Sequence, residues 1–143
     1  MNTHLTMLAA MTLAVSLTAA PAAAQGLFGN RAVVVQNGHD NGAAVAQSGE
    51  ANSAGVLQNG SGQTGVIHQT GNDNVAGLRQ FGRNNSGAVT QTGDGNRGCL
   101  MQVGRNLSGE IAQSDGATGV YMQTNGGVRR LRLNSLAVRA CSR

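Results

Sequence analysis

Tryptophan and lysine are absent from this chain, proline occurs once, and the aromatic residues are two Phe and one Tyr. A globular core filled by large rings is therefore excluded. Two cysteines are too few for a disulfide-dense scaffold. Charge is sparse as well, at 11% of residues, and it is unevenly placed. Residues 1–127 hold five Arg and six acids, whereas residues 128–143 hold five Arg and no acid. The net charge of +4 therefore describes a tail and not the body. No nucleophile–base pair, phosphate loop or pair of carboxylates stands at catalytic spacing, so no enzyme and no cofactor is expected.

Gly, Ala, Val, Asn and Gln dominate instead. Composition alone leaves both disorder and β-aggregation open. Periodicity decides between them. Gln recurs at Gln36, Gln47, Gln58, Gln69, Gln80, Gln91, Gln102 and Gln113, each gap being eleven residues, and Gln123 follows one residue early. Two residues before each Gln stands Val34, Val45, Val56, Ile67, Leu78, Val89, Leu100, Ile111 or Tyr121. Four before it is always Ala or Gly. Six before it stand Asn30, Asn41, Asn52, Asn74, Asn85 and Asn96, with Gln63 and Leu107 as exceptions. Two after it come Gly38, Gly49, Gly60, Gly71, Gly82, Gly93 and Gly104, until Asp115 breaks the set.

Side chains alternate along a strand, so Asn, the small residue, the apolar residue and Gln share one face. The Gly and the polar residues after it are turn chemistry. Each repeat thus reads as about seven strand residues and four turn residues. Helix is disfavoured, because every repeat carries Gly at a cost of about 1 kcal/mol each. One arm cannot bury its face alone, and stacking is required. Glu50, Asp73, Asp94 and Asp115 fall in alternate turns, while Gly82-Arg83-Asn84 and Gly104-Arg105-Asn106 fall in the intervening ones, with only Asp40 out of place among them. That second-order period of 22 residues predicts two arms per coil, an all-β solenoid with a mildly acidic edge and an Arg-bearing edge. Gln and Asn then stack on like neighbours as amide ladders, and both ends of the stack are expected to be open.

Residues 1–24 read as a secretory signal peptide, with an apolar run from Leu8 to Ala20, the single Pro21 and Ala22-Ala23-Ala24 before a cut ahead of Gln25. Residues 25–29 form a short N-terminal segment, 30–127 the repeat body and 128–143 an Arg-rich tail. Within the tail Arg130 to Leu133 alternate as a short strand would, and Arg129, Arg130, Arg132, Arg139 and Arg143 supply an anchoring or nucleating charge. Without aromatic interleaving this charge does not point to nucleic acid. Cys99 projects outward three residues before Gln102, and Cys141 lies in the tail. In an oxidising compartment an intramolecular bridge, an intermolecular cross-link and free thiols all remain open. His39 and His68 have no partner at metal-ligand spacing, and the acidic turns recur every eleven residues rather than the nine of calcium-binding β-helices, so no metal is expected.

The pattern N-x-[AG]-x-[VIL]-x-Q-x-G-x-x-N from Asn30 to about Gly126 resembles the curlin repeat of bacterial curli subunits. The resemblance implies export through the periplasm and a dedicated outer-membrane pore with accessory proteins, then assembly with copies of itself and other curlin subunits. The product would be extracellular amyloid fibres serving adhesion and biofilm. It also implies two subunit types, a shaft subunit and a nucleator with a basic, imperfect last repeat. The chain departs from the family in its short segment before the repeats and in its two cysteines. A second reading is a monomeric secreted β-solenoid adhesin, capped by a tail held through Cys99 and Cys141.

Overall fold

The structure, a computed structural model, describes residues 29–131. The leader, most of the short N-terminal segment, and Arg132, Arg139, Cys141 and Arg143 of the tail lie outside the described residues. Ten strands follow one another: β1 (Arg31–His39), β2 (Gly42–Ser48), β3 (Ser53–Ser61), β4 (Thr64–Thr70), β5 (Val75–Arg83), β6 (Ser86–Thr92), β7 (Arg97–Arg105), β8 (Ser108–Ser114), β9 (Thr118–Thr124) and β10 (Gly127–Leu131). There is no helix among the described residues.

Odd and even arms separate into two sheets. One has the order β1-β3-β5-β7-β9-β10 and the other β2-β4-β6-β8. Pairing from β1 to β9 and from β2 to β8 is parallel. Its register is the 22-residue period, so Gln36 lies against Gln58 and Gln47 against Gln69. The fold is therefore the expected β-solenoid with two arms per coil, about four turns long. The early Gln123 keeps its place because a tight turn at Asp115–Gly116 drops one residue, leaving Leu100 paired with Tyr121 and Gln102 with Gln123.

The inward faces of the two sheets meet in a narrow core. Ala54, Val56, Ile67, Ala76, Leu78, Val89, Leu100 and Ile111 fill it, with Ala43, Val45 and Tyr121 packed against its ends. Small residues four before each Gln leave room for the apolar column and for the amides. At Gly87 an added Cβ would lie 2.7 Å from the Leu78 side chain and 2.9 Å from Gln102 Oε1.

The turns explain their glycines in two ways. All seven repeat glycines have positive φ, and at Gly60 an added Cβ would run into the Gly82 carbonyl oxygen of the next coil. Close stacking of coils and left-handed backbone coincide, and only glycine satisfies both. The acidic turns lie along one edge and those of Arg83 and Arg105 along the other, as the alternation predicts. Glu50 and Asp94 do not stack directly on each other, however. Asn72 sits between the coil of Glu50 and that of Asp94, its backbone N–H donating to Asp94 Oδ1 and its Oδ1 accepting from the Glu50 N–H.

Cys99 faces outward, as its place in the arm predicts, yet is 1% exposed, and Gly77 and Val120 beside it in the register are buried too, so this strip of the flank is not solvated. Cys99 is disulfide-bonded. One expectation is corrected, at the C-terminal end. β10 turns back and pairs antiparallel with β9, from Gly127 opposite Thr124 to Leu131 opposite Val120. The end of the odd-arm sheet is therefore covered, not open. Arg130 and Leu131, where the predicted strand-like alternation begins, belong to this hairpin, and the alternation's remaining residues lie outside the described residues.

Candidate assembly interface

A buried amide costs on the order of 1–3 kcal/mol if its donors and acceptors go unpaired. Gln58, Gln69, Gln80, Gln91 and Gln102 are fully buried. Stacking at the coil repeat, about 4.8 Å, supplies their partners. Each Nε2 donates to the Oε1 of the Gln one coil on. In the odd-arm sheet the links run Gln36 to Gln58 (2.7 Å), Gln58 to Gln80 and Gln80 to Gln102 (2.8 Å each), and Gln102 to Gln123 (2.9 Å). In the other sheet they run from Gln47 through Gln69 and Gln91 to Gln113, all at 2.8 Å.

The second Nε2 hydrogen crosses the core. Gln80 donates to the Thr64 carbonyl at 2.9 Å, and Gln91 to that of Val75 at 3.0 Å, in each case at the start of the arm on the facing sheet. Gln47, Gln58, Gln69, Gln80, Gln91 and Gln102 thus each tie one coil to the next and one sheet to the other. Period counting reveals the first bond but not the second, because the facing-sheet carbonyl lies sixteen residues back and has no residue signature.

The Asn residues behave differently from the expected amide-to-amide ladder. Asn52 Oδ1 accepts the backbone N–H of Asn74, and its Nδ2 donates to the Gly71 carbonyl of the next turn at 2.8 Å. Asn30, Asn41, Asn74, Asn85 and Asn96 repeat the Oδ1 half of this motif, accepting an N–H from one coil on. Within these columns Asn96 to Asn74 adds a side-chain pair, at 3.0 Å, and in the turns Asn84 donates to Asn106 Oδ1 at 3.3 Å. Asn therefore staples corner to corner through the backbone. The one-carbon-longer Gln63 fits the column imperfectly, and its Oε1 is the one buried side-chain polar atom without a partner among the described residues.

The two ends of the stack are unlike. At the N-terminal end Val34, an inward residue, is 38% exposed, against 2% for Val56 one coil on. Asn30 is exposed and Gln36 and Gln47 are half-buried. At the C-terminal end β10 covers β9. The Asn125 side chain brackets the backbone of Arg105, accepting from its N–H at 3.1 Å and donating to its carbonyl at 2.9 Å. The Asn columns stop at Ala117 and Leu107. Sequence reasoning missed this closure. Its signal was Asn125-Gly126 between two alternating stretches, the dipeptide that favours a hairpin. Of the tail arginines, Arg129 and Arg130 lie on β10. Among the described residues no three His, Cys, Asp or Glu converge as a metal site.

A parallel β-solenoid whose coils are joined by Gln ladders and Asn staples is built to continue at an unpaired end, which defines a stacking, cross-β class of repeat protein. The Curlin associated repeat matches residues 38–71, 49–82, 71–98 and 82–114, more than half of the 143-residue chain. The chain belongs to the curlin family. No curated protein and no solved structure matches it.

Proposed function

We propose that this protein is an exported structural subunit of curli-type extracellular amyloid fibres, serving surface adhesion and biofilm matrix. It has no catalytic role and takes no cofactor or nucleic acid. It passes through the periplasm and the outer-membrane curli pore with its accessory proteins, and its partners in the fibre are copies of itself and other curlin subunits. The observation that carries this reading is the ladder itself. Seven Gln-to-Gln bonds run through the molecule in one sense, and the first coil stands with its inward residues half-exposed. The leader at residues 1–24 supports export.

The test takes mature protein alone and with seeds of a curlin fibre, followed by thioflavin fluorescence and fibre diffraction. Incorporation into thioflavin-positive material with a reflection near ~4.7 Å along the fibre is expected. Protein that stays monomeric and unincorporated in both conditions would sink the proposal and favour a monomeric adhesin.

A further inference from the structure

The ends of the solenoid differ in chemistry as well as in exposure. At the N-terminal end Gln36 and Gln47 donate forward but accept from no Gln among the described residues, so each presents its Oε1 as an unfilled acceptor. Asn30 and Asn41 give their Oδ1 to Asn52 and Gln63 one coil on, while their own N–H groups have no preceding Asn to receive them. On β1 the Arg31 N–H donates toward β3, to the Asn52 carbonyl at 2.8 Å. Alternation then turns the N–H and C=O of Ala32, Val34 and Gln36 to the free edge. This face calls for a coil that offers Gln Nε2 donors, Asn Oδ1 acceptors and two free parallel edges.

The protein's own C-terminal end offers none of these in full. The β9 edge is taken by β10. The acceptors that Asn30 and Asn41 need are replaced by Ala117 and Leu107. Gln113 Nε2 donates to the carbonyls of Arg97 and Ala117, both at 3.2 Å, and has no hydrogen left for another chain. The Arg105 backbone, which the next turn would engage, is held by Asn125.

We infer that the protein is a one-ended unit: its β1–β2 coil docks on the last coil of a curlin-repeat chain that keeps Asn and Gln there, and its hairpin closes the other end. The partner is thus a curlin chain with an uncapped last coil rather than an unaltered second copy. This inference rests on the fibre reading above, and it adds which end joins and to what.

An uncapped form of the chain serves as the probe. Gly127 has φ +124, which proline cannot adopt, so Gly127→Pro opens the hairpin, and Leu107→Asn restores an acceptor. Ala32→Pro blocks the free edge of β1 at an N–H that faces no strand, where proline is tolerated. Amide protection of β3 to β8 in each variant reports that the body is folded. The uncapped variant is expected to form fibres on its own, and the wild type to form none unless an uncapped chain is supplied. Wild-type protein added in substoichiometric amounts is expected to shorten those fibres by docking and then closing the end, and Ala32→Pro protein to leave their length unchanged. Wild type that enters without shortening them, or Ala32→Pro that shortens them equally, overturns the polarity alone. Absence of cross-β fibres from wild-type and uncapped protein alike overturns the fibre reading and the polarity together.

Discussion

Single amides carry unequal weight according to where they stand in a column. Gln80 has neighbours on both sides: it accepts from Gln58 and donates to Gln102 and Thr64. Gln80→Ala removes all three bonds, leaves Gln102 Oε1 buried without its donor and opens a cavity. The expected loss is about 4 kcal/mol, combining unpaired amides with lost packing. Gln113, half-buried at the end of its column, accepts from Gln91 at 2.8 Å and donates to the Arg97 and Ala117 carbonyls at a longer 3.2 Å each, where water can take over part of what is lost. Gln113→Ala is expected to cost about 2 kcal/mol, less than Gln80→Ala because its groups are not fully buried. Denaturant unfolding of monomeric protein checks both, and equal losses would show that the ladder is not what makes Gln80 matter. Gln63 gives the opposite sign. Its Oε1 is buried and idle. Gln63→Asn places an acceptor where the Asn columns use one, and a gain of about 1 kcal/mol is expected in the same measurement.

At the scale of the arm, the turn sets which substitutions are allowed. Most non-glycine residues with positive φ are Asp or Asn, as at Asp40, Asp73, Asn84, Asn106 and Asp115, but Ala51 has φ 55. Alanine in the left-handed region costs about 1–2 kcal/mol, whereas Asn and Asp visit it readily. Ala51→Asn is therefore expected to raise stability by about 1 kcal/mol, read as a higher midpoint of thermal unfolding of the monomer. Gly60→Ala is expected to do the reverse and more severely, because the Gly82 carbonyl occupies the space of the new methyl. The arms were largely legible beforehand. Gln, Asn, Gly and the apolar position recur at fixed offsets, and a period of two within a period of eleven leaves few ways to face a core. The bonds that cross between facing sheets were not legible. They end on backbone carbonyls, which every residue has. Burial of Cys99 was likewise hidden, since position in an arm specifies direction but not what surrounds it.

For the whole molecule, stability is close to a sum over coils and their neighbours, so the ends are its weakest parts. The asymmetry between ends makes this measurable by amide hydrogen exchange. At the N-terminal end the amides of Ala32, Val34 and Gln36 face no strand among the described residues, and the core residue beside them is partly exposed. They should exchange fast in the monomer. At the other end β9 lies between β7 and β10, and its amides should already be protected. Incorporation into fibres through the β1–β2 coil is then expected to slow exchange of the β1 amides strongly while leaving β9 little changed. A symmetric stack, joined head to tail through both ends, requires the β10 hairpin to open, and would alter the exchange of β9 and β10 along with that of β1. Exchange measured on monomer and on dissolved fibre therefore separates the two assemblies without any substitution, by asking only which terminal strand gains protection.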